Sequence, residues 1–152
     1  YFDAKKSESK LEFIENMNML AKDKSFYGLI ASLELINNNL ENKHYNDSFN
    51  EYLILLNKKN IDNIYKTLLA IHASYNLLGK IDSEKIYDLL SFIDESLDSF
   101  VGYHLEILYL LSLSQENIKK SNNLYNEIIS NDKISLSIKE RVKKINEFEK
   151  YQ

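Results

Sequence analysis

An all-α fold built from helical hairpins is predicted by three observations in this sequence. Apolar residues recur at helical spacing along nearly its whole length. No alternation of the kind a half-buried strand requires persists beyond a few residues. A hairpin pattern also returns about every 36–37 residues. In the first copy, Phe26-Tyr27-Gly28-Leu29 leads through the turn Glu41-Asn42-Lys43-His44 into Tyr45-Asn46-Asp47-Ser48. In the last, Phe100-Val101-Gly102-Tyr103 leads through Gln115-Glu116-Asn117-Ile118 into Ser121-Asn122-Asn123-Leu124. Phe26 and Phe100 lie two periods apart, as do Gly28 and Gly102.

This period points to a tetratricopeptide-like solenoid. It contains about three hairpins, at 25–59, 61–98 and 99–131, with a leading amphipathic helix in 1–22 and a capping helix in 132–152. With 152 residues, 44% of them hydrophobic, the chain can bury one continuous core and reads as a single domain, 1–152.

The leading helix runs from Ser7 to Ala21, with Leu11, Ile14, Met17 or Asn18, and Ala21 at helical spacing and Phe13 and Leu20 beside that stripe. Ser25 or Asp23 then caps a helix reaching Leu40, with Leu29, Leu33, Ile36 and Leu40 on one face. Its partner starts near Asn46 or Asp47 and buries Phe49, Tyr52, Leu53 and Leu56, ending at Lys58-Lys59, whose charges suit a helix C-terminus. The next helix spans Asp62 to Leu78, presents Leu68, Ala70, Ile71, Tyr75 and Leu78, and stops at Gly79, a residue with ready access to the left-handed conformation. Asp82-Ser83-Glu84 opens the following helix, whose buried stripe is Ile86, Leu89, Leu90 and Ile93. The third hairpin takes its helices from Ser99 to Leu113 and from Lys119 to Ser130. The last helix, Asp132 to Tyr151, has apolar positions Leu136, Ile138, Val142, Ile145 and Phe148, and its many lysines suit the exposed end of a stacked core.

Composition narrows the function. A net charge of −4 disfavours sequence-independent nucleic-acid binding, which relies on Lys and Arg neutralising phosphates, so a protein or peptide partner is expected. There is no cysteine, hence neither a disulfide framework nor a thiolate metal site. No run of about 18 apolar residues is present to span a membrane. The chain opens at Tyr1 without an initiator methionine, which suggests a piece of a longer protein.

No catalytic motif emerges. His44, His72 and His104 lie in different hairpins and lack the His pairing or Glu-x-x-His spacing of a helical metal site. The carboxylates from Asp82 to Asp98 fall mainly in first turns and on polar faces, where solvation and the helix dipole account for them. Gly-rich phosphate loops and nucleophile elbows are missing from the sequence. The expectation is therefore a non-enzyme with no cofactor and no metal. Between Ile81 and Glu106 seven acidic residues accompany one lysine, whereas six basic residues accompany three acidic ones from Lys133 to Lys150. Complementary capping or solubility explains that asymmetry without a dedicated docking surface. Tyrosine offers large amphipathic contacts, and Tyr27, Tyr65 and Tyr103 fall in first helices, which line the concave face of such arrays. With His72 they form the candidate protein- or peptide-binding groove.

The run Phe100 to Leu111 with its internal Leu105-Glu106-Ile107, the segment Asn122 to Ile129, and Ile138 with Arg141-Val142 resemble the closing region of one bacterial family. This family comprises the tetratricopeptide-like periplasmic domain of the ancillary SecYEG translocon subunit and its alphaproteobacterial relatives. Its alanines are often replaced here by serine or bulkier residues. The resemblance implies a single membrane helix upstream of Tyr1, a periplasmic domain held at the bacterial inner membrane, and a role in protein export or envelope quality control. Translocon components or envelope chaperones would be its partners. In that reading the first helix completes the groove or pairs with a second copy. The alternative is a soluble cytosolic adaptor whose groove takes one defined peptide.

Overall fold

A computed structural model describes residues 9–23 and 25–150. Among them are eight helices and no strand: α1 Lys10–Ala21, α2 Phe26–Glu41, α3 Tyr45–Leu56, α4 Asn63–Leu77, α5 Ser83–Leu90, α6 Asp98–Ser114, α7 Ile118–Ser130 and α8 Leu136–Glu149. The fold class is all-α and consistent with a helical-hairpin repeat, with α2 packed on α3 and α6 packed on α7. Residues 7 and 8 of the expected first helix and residue 151 of the expected last one lie outside the described residues. Packing divides the chain into two compact units, one up to Leu69 and one from Ala70.

Local chemistry sets the helix ends. The Ser9 hydroxyl accepts a hydrogen bond from the Glu12 backbone N–H at 3.1 Å, which starts α1 at Lys10. Asp23 Oδ1 accepts from Ser25 N at 2.8 Å, so the aspartate shapes the entry to α2 while Ser25 occupies the cap position. α3 departs from the expected Asn46 or Asp47 cap: His44 is its N-cap, and Asp47 lies inside the first turn, where its charge suits the helix dipole. The preceding turn causes this. Lys43 adopts φ 61°, Lys43 N donates to Leu40 O at 3.1 Å and His44 N to Asn39 O at 2.8 Å, a Schellman closure that lets α3 begin at once. Two periods on, the turn recurs: Glu116 has φ 54°, and Glu116 N and Asn117 N donate to Leu113 O and Ser112 O at 2.9 Å each. Neither left-handed position is glycine, so the hairpin turn recurs without its usual sequence mark. Gly79, with φ 72°, follows the end of α4 as its sequence position predicts.

In the first unit α2 packs between α1 and α3. Met17, Ala31 and Leu35 form a buried cluster, with Phe13, Ile14, Leu20 and Ala21 against it. The buried face of α2 is Gly28, Ala31, Ser32, Leu35 and Ile36, so of the expected stripe only Ile36 is fully inside. On α1 the expected Leu11 is instead 69% exposed. On α3, Phe49, Tyr52 and Leu56 are buried as expected, but Leu55 takes the place foreseen for Leu53. Lys58 Nζ reaches the Ala21 carbonyl at 3.3 Å, placing a cation at the C-terminus of α1.

The second unit is organised by α6, which packs on α7 and α8. Its core joins Tyr109 to Leu124, Ile128, Ile134, Ile138 and Val142, flanked by partly buried Tyr103, Leu105 and Ile145. α8 begins at Leu136 because a turn precedes it: Asn131 Oδ1 accepts from Lys133 N, Asn131 O accepts from Ile134 N, and Ile134 is turned inward. Leu136 and Phe148, expected among the apolar positions of this helix, are 69% and 63% exposed. α5 ends at Leu90, and its expected stripe of Ile86, Leu89, Leu90 and Ile93 is buried.

The paired glycines serve one purpose against different neighbours. A Cβ on Gly28 would lie 2.1 Å from the Asp23 carbonyl oxygen, whereas one on Gly102 would meet the Ile138 Cδ1 methyl at 2.8 Å. A backbone carbonyl cannot step aside as a methyl can. Alanine normally gains about 0.5–1 kcal/mol over glycine inside a helix. Gly28→Ala is expected to reverse that sign and cost about 1–3 kcal/mol. Gly102→Ala is expected to cost less, with urea denaturation followed by circular dichroism as the check. Equal stability of Gly28→Ala and the parent protein would show that α2 does not approach the α1–α2 connection this closely.

Candidate functional site

The four residues predicted to line a groove fall two in each unit. In the first unit, Tyr27 on α2 is 49% exposed, with its ring edge-on to Phe26 at 6.2 Å between centroids, and Tyr65 on α4 is 63% exposed. In the second unit, Tyr103 on α6 is half-buried and packs against the core. His72, on the C-terminal half of α4, is exposed as a whole residue, yet its ring is partly desolvated, which holds its pKa below the ordinary histidine value. Its Nε2 lies 3.1 Å from Asn76 Nδ2.

Exposed apolar surface concentrates on the first half of α4. Ile64, Tyr65 and Leu68 share one helix face, at 48%, 63% and 45% exposure. Leu68 belongs to the apolar set that the sequence presents on this helix, yet it faces water. It is displaced because Thr67, Ala70, Ala73, Ser74 and Leu77 occupy the buried positions of this helix, and small side chains there let neighbours approach closely. α4 contains a single formally charged residue, Lys66, so its exposed face is apolar and aromatic with little charge to solvate it.

A polar groove of about 260 Å³ opens in the first unit. α1 supplies Lys10, Ile14 and Asn18, α2 supplies Leu35, Asn38 and Asn39, and Asn42, His44 and Glu51 complete it. Lys10 Nζ donates to Asn42 Oδ1 at 2.9 Å. The Glu51 carboxyl is half-buried, and that burial raises its pKa; Lys58 lowers it and Asp47 raises it further, by smaller amounts.

The most tightly held charge belongs to the second unit. Glu106, 2% exposed on α6, accepts from Arg141 Nε at 2.9 Å and from Arg141 Nη2 at 2.6 Å, a two-pronged pair from α8. Tyr75 Oη from α4 donates to the same carboxylate at 2.5 Å. Burial, then the hydrogen bond and charge of Glu106, push the Tyr75 pKa far above the usual tyrosine value. Asp98 and Lys133 form a second α6 pair at 2.9 Å, but both are exposed and it contributes little. The acidic and basic stretches of the sequence thus meet in these two pairs. Two signals pointed to the buried one: a glutamate inside the apolar run of α6, and the lone arginine of a lysine-rich helix set between Ile138 and Val142.

The Glu106 carboxylate is committed to Arg141 and Tyr75. Among the described residues no group of three or more His, Asp or Glu side chains is placed to hold a metal ion. Asp94, in the acidic stretch, accepts from Ser96 N and Oγ, which lowers its pKa as in an ordinary turn. His104 lies 3.8 Å from Glu95, and burial outweighs that carboxylate to lower its pKa. No family model, no curated protein and no solved structure matches this chain.

Arg141→Leu would leave a buried carboxylate without its cation. The expected loss is about 2–3 kcal/mol, below the usual range for a buried pair because the arginine side chain is 48% exposed and water can enter. Adding Glu106→Leu should restore part of that stability in urea denaturation; a double variant no more stable than Arg141→Leu alone would contradict the pairing.

Tyr109 supplies a pH test. Its hydroxyl is buried without a hydrogen-bond partner among the described residues, and burial, with smaller contributions from Glu149 and Tyr125, raises its pKa to about 12. The folded state holds this proton more tightly than the unfolded chain, where tyrosine titrates near 10. Its stabilising contribution is therefore complete below about pH 10 and declines as pH rises through about 12. Tyr109→Phe should flatten that alkaline loss of thermal stability and, by removing an orphan hydroxyl, cost nothing at neutral pH. A variant destabilised at pH 7 would reveal a partner for the hydroxyl.

Proposed function

We propose that this chain is a non-catalytic protein-interaction scaffold whose docking face is the exposed apolar surface of α4 at Ile64, Tyr65 and Leu68. A single observation carries the reading: this face is apolar and aromatic, and one lysine is the only formal charge on its helix. The partner best matched to it is a protein segment presenting an apolar anchor, since aromatic and aliphatic residues supply most of the energy in such contacts. The net charge of −4 makes nucleic acid a poor partner.

The setting proposed is the bacterial envelope, in protein export or quality control beside the translocon. Its support is the resemblance carried by Leu105-Glu106-Ile107 and Arg141-Val142, whose Glu106 and Arg141 are bonded to one another. No described helix is long and apolar enough to cross a membrane, so a tether, in this reading, lies outside these residues. The soluble cytosolic adaptor is the competing proposal and uses the same face.

A photo-crosslinking amino acid placed at Tyr65 or Leu68 in the full-length protein in cells should give discrete protein adducts. The same group at Asn123, an exposed position of α7, should not. Leu68→Asp should weaken binding of the captured partner by about tenfold or more. An envelope protein among the adducts favours the export reading, and a cytosolic one favours the adaptor. Identical adduct patterns at all three positions would overturn the docking face.

A further inference from the structure

The polar groove of the first unit is separate from the α4 face and has a chemistry of its own. Its floor is apolar where Ile14 and Leu35 line it, and its rim carries side-chain amides. Lys10 and Asn42 already satisfy each other across 2.9 Å, and Asn42 Nδ2 donates back to Asn38 O. Lys58 Nζ, the cation acting most strongly on Glu51, is bonded to the Ala21 carbonyl. The charge left in the groove without a hydrogen-bond partner among the described residues is the half-buried Glu51 carboxylate. The side-chain amides of Asn18 and Asn39 likewise make no hydrogen bond within the described residues.

We infer that this groove receives a lysine- or arginine-bearing extended segment of a partner protein, the basic head on Glu51 and the flanking main chain on Asn18 and Asn39. Each requirement of such a segment has a counterpart. A basic side chain is an aliphatic stem ending in a charge, and it lies along apolar surface while its head reaches an acceptor, as Ile14 and Leu35 leading to Glu51 allow. An asparagine amide offers two donors and an acceptor, the complement of a peptide N–H and C=O. The volume of about 260 Å³ is just below that of sites for drug-sized ligands and suits one side chain with its adjoining peptide groups. Partial burial of Glu51 strengthens a charge-assisted bond there relative to one in open water. This inference rests on the scaffold reading and adds a second, polar anchor to it.

The test is an NMR titration of the full chain, uniformly ¹⁵N-labelled, with acetyl-Ala-Gly-Lys-Gly-Ala-amide and with the same peptide carrying norleucine in place of lysine. The lysine peptide should give saturable shifts at the Asn18 and Asn39 side-chain amides and at the Glu51 backbone amide. The norleucine peptide should bind about tenfold more weakly. Glu51→Gln should lower the lysine peptide to the norleucine level. Equal affinity for both peptides, or no shift at these residues, overturns the inference. Shifts confined to Tyr65 and Leu68 also overturn it, while leaving the α4 docking face standing.

Discussion

The second unit depends on one buried carboxylate. An ionised Glu106 at 2% exposure would cost several kcal/mol if left unpaired, so the fold must deliver partners to it. They come from two other helices: Arg141 from α8 in a two-pronged grip, and Tyr75 from α4 with one hydroxyl. That requirement sets the rotation of α8 about its own axis. With Arg141 directed at Glu106, Ile138 and Val142 turn into the core and the lysines of the helix face water. The steric side of the same arrangement is Gly102, one turn before Glu106, where the absence of a Cβ leaves room for Ile134 and Ile138. Charge pairing and close packing therefore act on the same helix.

The buried serines contribute to packing in both units. Ser32, Ser48, Ser74, Ser112 and Ser121 are inside, and each hydroxyl bonds a carbonyl three or four residues earlier in its own chain, between 2.6 and 3.2 Å. Satisfied in this way, a serine behaves as a small interior residue and needs no partner from a neighbouring helix. This explains how a chain with few alanines brings helices together. It also makes the orphan hydroxyl of Tyr109 an exception among the buried side chains of the described residues.

Much of this was legible in the sequence, and the errors share a cause. Some helix ends were readable because punctuation is local: Gly79 takes the left-handed turn after α4, and Asn117 Oδ1 accepts from Lys120 N at the start of α7. Helix phase was less readable. Helices such as α4 and α6 carry apolar residues on several faces, so periodicity establishes a helix without saying which side is inside, and Leu68 faces water while Ala70 and Ile71 of the same apolar set are buried. The capping helix misled at Leu136 and Phe148 for the related reason that a terminal helix has only one neighbour face to bury. The pairing of Glu106 with Arg141 joins residues far apart in sequence, which no local pattern encodes. The groove beside Glu51 was missed because asparagines in a chain this rich in them do not stand out.

A unit organised around one buried network is expected to open as a whole rather than helix by helix. If the Glu106 network fastens α8 into the second unit, that helix cannot open by itself. Native-state hydrogen exchange on the unmodified protein measures this most directly. The amides of α8 around Val142 are predicted to exchange with the same opening free energy as those of α6 around Glu106 and those of α4 around Tyr75. Exchange of α8 by a separate, much easier opening, with α6 still protected, would contradict the account.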